Sequence, residues 1–563
     1  MQHICRNAWC RQSFEITDDD LKFYEKVSPV LNGKKELIPP PTLCPSCRSH
    51  RRYTYRNERH LYRRPCSASG RNIMALYAPE KPFPVYEPSI WHSDGWDPKS
   101  FGRAFDFSRP FFNQYGDLQR VVPRIALAAV NNENCDYVNQ VWYSKNCYLC
   151  TDASFCEDAL YCYATYHSKN VVDCAHTRES ELSCDLTDCV RCYGCTALLD
   201  CKDCHDTFFS VDCVQCSCAA FCWNLRGKQY HIFNKPVSRE EWEKFVQSFR
   251  SGSAAKRAED GRIFESILTK AVRRANHNIQ CEDCLGDYLL HSRRCDTCFD
   301  GDQSEDLKYC CRMDQHVKSA MDIDQSSDLE VGYESLSVGG HDILFSTASW
   351  SVSNANLLYC DLILNSSDCF GCVCMKNGKY CILNKQFTKE EYEELVPRII
   401  EHMRRTGEWG EFFPAKYSPF CYNESMAQIY FFPLSKEEVL RRGWQWRDQK
   451  DEMPKVDRII PATQLPDSID DIPDDILNWA IECETTKRPF KVIKQELDFY
   501  RKMRLSVPHF HPDERHRRRM ALRNPRKLWD RECAKCHKPI STSYAPERPE
   551  TVYCEECYLK EVY

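Results

Sequence analysis

Cysteine is the feature that most constrains how this chain can fold. The sequence has 38 cysteines in 563 residues, and they fall into blocks that differ in spacing. Five lie in residues 1–66, sixteen in 135–222, eleven in 281–381 and four in 533–557. The N-terminus lacks the apolar run of a secretory signal peptide, so we expect a cytoplasmic protein. In that compartment cysteines more often bind metal or fill cores than form disulfides.

The cysteines near the two ends of the chain have the spacing of metal sites. Two CxxC pairs separated by 17 residues are typical of a zinc ribbon or treble clef, and a CxxxxC pair with a later CxxC lies near the N-terminus. Four thiolates complete the tetrahedral shell that Zn²⁺ accepts and leave no position for catalysis. We therefore predict two structural Zn²⁺ sites, formed by Cys5, Cys10, Cys44 and Cys47 and by Cys533, Cys536, Cys554 and Cys557.

The two terminal segments are copies of each other. Residues 14–24 recur at an offset of 476, and residues 51–57 recur at an offset of 467. The duplication implies an ancestral module with two metal positions. The N-terminal copy keeps the first position and only Cys66 of the second, whereas the C-terminal copy keeps the second position and at most Cys483 and His511 of the first. Either these two residues form a residual metal site or they are a relic of one.

The middle of the chain is duplicated as well. Residues 230–235 recur as 380–385, and each copy precedes a Ser or Thr followed three residues later by Glu. That pattern is a capping box, which predicts the start of a helix. Upstream, short polar motifs with cysteine recur at steps of about 9 to 15 residues, which favours a solenoid of about 18–24 residues per coil. Cysteine fits the inward positions of such a stack, with additional metal or redox chemistry as alternatives.

These features predict an α+β, β-rich fold, in which two Cys-rich β-solenoid-like segments with helical caps are flanked by duplicated terminal zinc-ribbon or treble-clef modules. Aromatic residues punctuated by Pro and Gly suggest an extended connection over 83–115. The expected order is an N-terminal zinc module with an Arg-rich helix (1–82), an aromatic-rich connecting segment (83–130), solenoid A (131–237), a helical cap (238–275), solenoid B (276–387), a helical cap with an aromatic subdomain (388–447), a Pro/Asp-rich linker (448–472) and a C-terminal zinc module (473–563).

Two arginine-rich stretches have the composition of nucleic-acid contacts. Residues 48–64 hold seven Arg against one Glu, and residues 514–531 hold seven Arg and one Lys against two acids, in a chain of net charge −6. Arginine interleaved with aromatic residues suits phosphate contact and base stacking. The alternative is pairing with acidic groups of the same protein. The nominated nucleic-acid contacts, on two Arg-rich helices, are Arg51, Arg52, Arg56, Arg59, Arg518, Arg519, Arg523 and Arg526.

The sequence offers no set of residues for a catalytic site. It contains no GxGxxG, GxxxxGK[ST], HExxH or GxSxG motif, and the run from Cys189 to Cys195 is not completed into an iron–sulfur motif. We expect a non-enzymatic scaffold that binds nucleic acid, RNA rather than DNA. A protein-interaction scaffold using the solenoid surface is the alternative, and a thiol- or metal-dependent enzyme or a metal store is a weaker one. Neither a membrane nor a small-molecule substrate is expected as a partner.

Residues 41–47, 56–59 and 544–558 resemble the uncharacterised cysteine-rich zinc-binding proteins of uncultivated small-genome bacteria. The resemblance covers the full chain. It implies zinc binding but no activity, because that family has no function to carry over. The C-terminal module is also similar to zinc ribbons, of which many bind nucleic acid and many bind proteins.

Overall fold

Segments that are distant in sequence combine into two compact units. The computed structural model describes residues 1–313, 316–327, 329–348, 351–448 and 454–563. The first unit joins the N-terminal module to the second cysteine-rich segment, and the second unit joins the first cysteine-rich segment to the C-terminal module. The first unit comprises Met1–Leu127, Asn276–Arg447 and Arg526–Leu528, and the second comprises Ala128–Ala275, Asp448–Pro525 and Trp529–Tyr563.

The described residues form an α+β fold that is rich in strands. Helices lie outside the two large sheets, and several 3₁₀ turns connect them. The α-helices are α1 (Asp18–Val27), α2 (Pro45–Tyr53), α3 (Pro88–His92), α4 (Phe111–Gln119), α5 (Arg239–Phe249), α6 (Ala254–Lys270), α7 (Lys389–Thr406), α8 (Lys436–Arg441), α9 (Lys494–Met503), α10 (Pro512–Met520) and α11 (Glu555–Val562). None of the helices in the described ranges is long and apolar enough to cross a membrane.

The large sheet of the second unit has a constant register between its parallel strands. Asn139 pairs with Thr151, twelve positions further along the chain, and Thr151 pairs with Tyr163 at the same interval. The longer coil that the uneven motif spacing predicted is therefore wrong. The strands are Ala129–Val130, Asn139–Trp142, Thr151–Ser154, Glu157–Leu160, Tyr163–Tyr166, Lys169–Val172, Ala175–Arg178, Glu181–Thr187, Thr196–Leu199, His205–Val211, Ser217–Ala220, Gln229–Ile232 and Lys235–Pro236.

A three-residue period in the backbone conformation explains why the motif spacing predicted too long a coil. Residues at intervals of three have positive φ, for example Asp200 at 56°, Asp203 at 55° and Asp206 at 44°. Asp and Asn tolerate this left-handed conformation better than most residues. The residue that follows each of these left-handed residues faces the interior. Two interior cysteines can therefore be separated by any multiple of three residues. Their visible spacing consequently varies although the register does not.

Cysteine supplies most of this interior. The buried core of the sheet contains 13 cysteines, all at inward positions. The structure thus confirms the prediction that these cysteines fill inward positions. They are Cys147, Cys150, Cys156, Cys162, Cys174, Cys189, Cys192, Cys195, Cys201, Cys204, Cys213, Cys216 and Cys222.

Inward cysteine and serine side chains also bond to the backbone. Ser180 Oγ accepts the backbone N–H of Cys192 at 3.2 Å, and Cys201 Sγ accepts that of Cys213 at 3.4 Å. Each γ atom donates to the carbonyl two residues earlier, at 3.0 and 3.4 Å respectively. A buried N–H that the strand ladder does not use needs another acceptor. Small residues with a γ oxygen or sulfur meet this need, which accounts for the composition of the segment.

The large sheet of the first unit follows the same plan less regularly. Cys369 pairs with Cys381 twelve positions on, but Leu307 pairs with Ala320 thirteen positions on. Asp328, part of a predicted repeat motif, lies outside the described residues. The strands are Leu285–Leu290, Arg293–Asp302, Glu305–Lys308, Cys311–Met313, Lys318–Met321, Asp324–Ser327, Glu330–Tyr333, Leu336–Gly339, His341–Leu344, Ala355–Leu358, Ser367–Phe370, Lys379–Ile382 and Lys385–Gln386.

An asparagine of the duplicated motif, residues 230–235 and 380–385, bonds to the backbone at the end of each large sheet. Asn234 accepts the N–H of Trp223 at 2.9 Å and donates to its carbonyl at 2.9 Å. Asn384 does the same to Val373, with both distances 2.8 Å. A side-chain amide thus replaces the missing next strand at these positions.

The predicted helices that follow are confirmed. Ser238 and Thr388 form capping boxes at the starts of α5 and α7. The break near residues 250–253 separates α5 from α6, and Pro397 lies inside α7. The capping box satisfies backbone donors at the helix start with side chains only three residues apart. The local sequence therefore determines where these two helices begin.

The aromatic segment after the N-terminal module is more helical than predicted. Residues 83–115 contain α3, the start of α4 and a 3₁₀ turn at Pro98–Phe101. Trp91, Phe111 and Tyr115 are buried in a core with residues of the second cysteine-rich segment. Packing onto that sheet supplies the stabilisation that local sequence, with its Pro and Gly, did not indicate.

Smaller sheets complete both units. The predicted linker 448–472 includes residues 449–453, which lie outside the described residues, and a strand at Arg458–Pro461. The remaining strands pair as Gln2–Ile4 with Ser13–Glu15, Val30–Leu31 with Lys34–Lys35, Tyr62–Pro65 with Asn72–Ala75, Val85–Tyr86 with Arg124–Ile125, Arg273–Arg274 with Val552–Tyr553, Arg458–Pro461 with Trp479–Glu482, Trp479–Glu482 with Pro489–Phe490, and Trp529–Glu532 with Pro539–Thr542.

Candidate metal centres and arginine contacts

The first metal centre is formed by Cys5, Cys10, Cys44 and Cys47. Cys5 and Cys10 lie in the loop after the first strand, Cys44 is the N-cap of α2, and Cys47 lies in its first turn. The four Sγ atoms lie within 4.8 Å of one another, and Cys10 and Cys44 are 3.7 Å apart. Tetrahedral Zn–S bonds of about 2.3 Å place sulfurs about 3.8 Å apart. The sulfur arrangement therefore has the right size for such an ion.

Hydrogen bonds favour thiolate at this centre. Asn7 Nδ2 donates to Cys47 Sγ at 3.1 Å, and the backbone N–H of Cys44 donates to Cys5 Sγ at 3.3 Å. The hydrogen bond from Cys47 lowers the pKa of Cys44 to about 5, and the same hydrogen bond raises the pKa of Cys47. Since the thiolate is the form that binds metal, Cys44 is prepared for a cation, whereas Cys10 and Cys47, whose pKa values are raised, must release their protons when an ion binds.

The second metal centre repeats this geometry with Cys533, Cys536, Cys554 and Cys557. Cys554 is the N-cap of α11, as Cys44 is of α2, and Cys536 and Cys554 are 3.7 Å apart. Burial raises the pKa of Cys533, but the backbone amides of Cys554 and Cys536 outweigh it and lower that pKa to about 6. Both groups can therefore hold a metal ion. The described parts of the chain contain no third group of three or more such ligands.

A hydrogen-bonded cluster occupies the lost metal position of the N-terminal module. Cys66, Ser69 and Glu87 correspond to Cys533, Cys536 and Cys554 at the offset of 467. Ser69 Oγ donates to Glu87 at 2.6 Å, and the backbone N–H of Glu87 donates to Cys66 Sγ at 3.4 Å. Arg71 pairs with the same carboxylate at 2.8 Å. Side-chain hydrogen bonds link these two loops at the position where the C-terminal module has four cysteines.

The lost position of the C-terminal module has also changed. His511 corresponds to Cys44 and still caps a helix, because its Nδ1 accepts the backbone N–H of Asp513 at 3.1 Å. Glu514, at the position of Cys47, pairs with Arg518 at 2.8 Å. Within the described residues, Cys483 and His511 belong to no group of three metal ligands. The geometry thus favours a relic over a residual site.

Buried ion pairs join α2 to the large sheet of the first unit. Arg48 contacts Asp322 at 2.6 Å, and Arg52 contacts Asp324 at 2.7 Å and Asp322 at 3.3 Å. Arg48 also lies over the ring of Tyr309 at 5.6 Å. The side chain of Arg52 is 0% exposed. Charges buried to this degree need partners, so the arginines and the turn aspartates depend on each other.

The second unit repeats the arrangement with α10. Arg515, which corresponds to Arg48, contacts Asp173 at 2.5 Å and lies 4.5 Å from the ring centre of Tyr161. Arg519, which corresponds to Arg52, contacts Asp173 at 2.7 Å and Asp185 at 3.4 Å. Asp173 and Asp322 are related by an offset of 149, close to the offset of 150 between the two middle copies. The same two helix positions therefore contact the equivalent aspartates Asp322 and Asp173 in the two copies, whereas the second partners, Asp324 and Asp185, are not equivalent.

Burial of these carboxylates carries an electrostatic cost. Burial raises the pKa of Asp173 even though Arg515 and Arg519 lower it. It raises the pKa of Glu334 against the effect of Arg51 in the same way. The arginines are what allow charged carboxylates in these positions.

Most of the nominated arginines have carboxylate partners. The helices are shorter than predicted: α2 ends at Tyr53 and α10 at Met520, so four of the eight arginines follow a helix instead of lying on it. Asn57 bonds to the backbone of His60, and Pro525 disfavours helix at Asn524, so neither stretch resumes a helix at these residues. The pairs are Arg51 with Glu334 and Glu411, Arg52 with Asp324, Arg56 with Glu58, Arg518 with Glu514, Arg519 with Asp173, Arg523 with Asp188, and Arg526 with Asp300; Arg59 is half-buried after α2.

No protein-family model matches the chain, and no curated protein or solved structure is similar to it. Sequence reasoning missed the turn aspartates Asp173 and Asp322 and the closing asparagines Asn234 and Asn384. The duplication pointed to all four, because the aspartates recur at an offset of 149 and the asparagines at an offset of 150.

Proposed function

We propose that the chain is a non-enzymatic, zinc-held scaffold. Two narrow β-solenoids form its body, and a zinc-ribbon or treble-clef module is docked on each through arginine–aspartate pairs. The observation that carries the proposal is the repeated geometry of the two four-cysteine groups, each of which includes the N-cap of a helix within a docked module. A structural ion there would connect two segments of the chain within each module.

Zinc is the ion that we propose for both centres. Four thiolates at sulfur separations near 3.7 Å suit a tetrahedral d¹⁰ ion. All four ligands come from the protein, which leaves no open position for a substrate or an activated water. This closed donor set supports a structural role and is our reason for proposing a protein without enzymatic activity.

We assign the arginines that pair with the sheets to docking and not to RNA. Arg52 and Arg519 are buried against turn aspartates, so a phosphate could reach them only after those ion pairs break. Arg518, at 46% exposed, is the most accessible of the paired arginines nominated from the sequence. RNA binding through these residues stays a prediction, and an Arg518→Gln variant tested against RNA at low salt would measure it.

Elemental analysis of the purified full chain tests the proposal. We expect two zinc ions per chain, and one each for Cys44→Ser and Cys554→Ser. Cys66→Ser, which removes a cysteine of a lost site, is the matched control and should keep both ions. Iron in place of zinc, or an unchanged zinc content in Cys44→Ser, would contradict the assignment. More than two ions per chain would show that the interior cysteines also bind metal.

A further inference from the structure

The loop of the first metal centre presents an exposed indole ring. Trp9 lies between the ligands Cys5 and Cys10 and is 52% exposed. Its backbone N–H donates to Asn7 Oδ1 at 3.1 Å, and Asn7 in turn donates to the ligand Cys47 at 3.1 Å. The same contacts that prepare the metal centre therefore hold Trp9 at the surface.

Two arginines from the end of α8 lie against this ring. The guanidinium carbon of Arg441 is 5.7 Å from the ring centre of Trp9, and that of Arg442 is 5.4 Å from it. Arg442 also lies 5.2 Å from the ring centre of Trp444. Its Nε atom is buried and has no hydrogen-bond partner within the described ranges. Cation–π contact positions these guanidinium groups without neutralising them.

The surface around Trp9 has an excess of positive charge. The segments 5–13 and 437–446 contain four arginines, Arg6, Arg11, Arg441 and Arg442, and two acidic residues, Glu437 and Glu438, which lie one turn before the arginines of α8. Across the described part of the chain, none of the four forms an ion pair, whereas most of the nominated arginines do. A zinc ion with four thiolates would contribute a charge of about −2, so the excess of positive charge lies on the guanidinium groups beside the ring and not on the group as a whole.

The second metal centre lacks this combination. Its loop contains Lys535 and Lys538 but no tryptophan, and the lysines pair with Glu561 at 2.7 Å and Glu556 at 3.6 Å. The two centres therefore share their ligand geometry but differ in their surroundings. A binding role for the basic aromatic surface would belong to the first centre alone.

We propose that Trp9, Arg6, Arg11, Arg441 and Arg442 form a binding surface for single-stranded nucleic acid. An exposed indole provides a face for one unpaired base, and unpaired guanidinium groups provide contacts for the adjoining phosphates. An acidic protein segment would satisfy the charges but would gain little from the ring. The inference goes beyond the zinc-held scaffold, because it names a surface and a partner class and uses none of the eight arginines nominated from the sequence.

Fluorescence anisotropy of a labelled oligouridine of about twelve nucleotides tests the proposal with the full chain. Trp9→Ala should weaken binding by about 5- to 150-fold, the loss expected for one stacked base. The double variant Arg441→Gln/Arg442→Gln should also lower the slope of log affinity against log salt by about 1.4, which corresponds to about 0.7 for each lost phosphate contact. Trp9→Phe should retain part of the affinity.

Lys535→Gln, which removes a paired cation beside the second metal centre, is the matched control and should bind as the wild type does. Zinc content and melting temperature, measured on every variant, separate a lost contact from a lost metal centre. The proposal would be wrong if the wild type fails to bind the oligouridine at about 50 mM salt, where phosphate contacts are strongest. It would also be wrong if polyglutamate competes equally well and Trp9→Ala has no effect, because the surface would then suit an acidic protein.

Discussion

The two units use the same contacts but differ in regularity. In the second unit the parallel strands of the large sheet keep a constant interval, as between Cys184 and Thr196. In the first unit the interval lengthens by one position between Leu307 and Ala320 and by two between Ile343 and Leu357. Yet α2 and α10 contact equivalent aspartates in the two units through the same helix positions. These docking contacts are therefore the same in the two units, although the spacing of the strands around them differs.

The terminal modules differ in a complementary way. The N-terminal copy keeps the first metal position and has a hydrogen-bonded cluster at the second, whereas the C-terminal copy keeps the second and has a helix-capping histidine at the first. One four-cysteine group is retained in each module. We infer that a docked module needs one four-cysteine group, and that hydrogen bonds can stabilise the loops at the other position.

Loss of a docking aspartate should have the largest effect on stability. Asp173→Ala and Asp322→Ala each remove a carboxylate that two buried arginines share, which costs about 3–5 kcal/mol. Because the geometry repeats, we expect similar losses in the two units, measured by chemical denaturation. Asp19→Ala, which breaks the exposed pair with Lys22, is the matched control and should leave stability almost unchanged. Losses that differ greatly between the units would show that the copies are not equivalent.

Loss of a closing asparagine should have the second-largest effect on stability, and the effect should differ between the two units. Asn384 is fully buried and makes three hydrogen bonds, two to Val373 and one to Pro98. Asn384→Ala should therefore cost about 2–3 kcal/mol, because it leaves buried backbone groups unpaired. Asn234→Ala, at a half-buried position, should cost about 1 kcal/mol. Denaturation curves of the two variants measure the difference, and equal losses would contradict the role of burial.

An interior cysteine should tolerate serine better than valine. Cys201→Ser keeps an acceptor for the N–H of Cys213, whereas Cys201→Val removes it and leaves that N–H buried and unpaired. We expect valine to destabilise the second unit by about 1–3 kcal/mol more than serine does. Thermal unfolding of both variants tests this expectation. If valine is the better tolerated residue, the interior depends on apolar packing and not on the γ atom.

The smallest effect should come from the glutamate at a former ligand position. Hydrogen bonds from Arg517 and Arg518, which outweigh burial, lower the pKa of Glu514 to about 2. A carboxylate with a lowered folded-state pKa stabilises the protein above its unfolded-state pKa, and this contribution is lost as the pH falls towards 2. Glu514→Gln should cost about 1 kcal/mol at neutral pH. A difference between variant and wild type that does not shrink in acid would contradict this assignment.

The sequence alone predicts what depends on local spacing. The two four-cysteine groups come from short CxxC and CxxxxC motifs, and the capping boxes at Ser238 and Thr388 satisfy donors only three residues away. The ion pair of Arg515 with Asp173 joins residues 342 positions apart. Composition shows that both charges exist but does not show that they meet. The strand register was missed because inward positions recur every three residues, so the spacing of cysteines reflects which of those positions are occupied.

Double-mutant cycles on Arg48 with Asp322 and on Arg515 with Asp173 test the central claim most directly, because they measure whether these pairs dock the modules. Arg→Met and Asp→Ala variants, alone and combined, are compared by chemical denaturation of the metal-loaded chain. The account predicts a coupling energy of about 2–3 kcal/mol in both cycles, typical of residues in one buried network. A coupling below about 0.5 kcal/mol in either cycle, the size expected for independent sites, would contradict it.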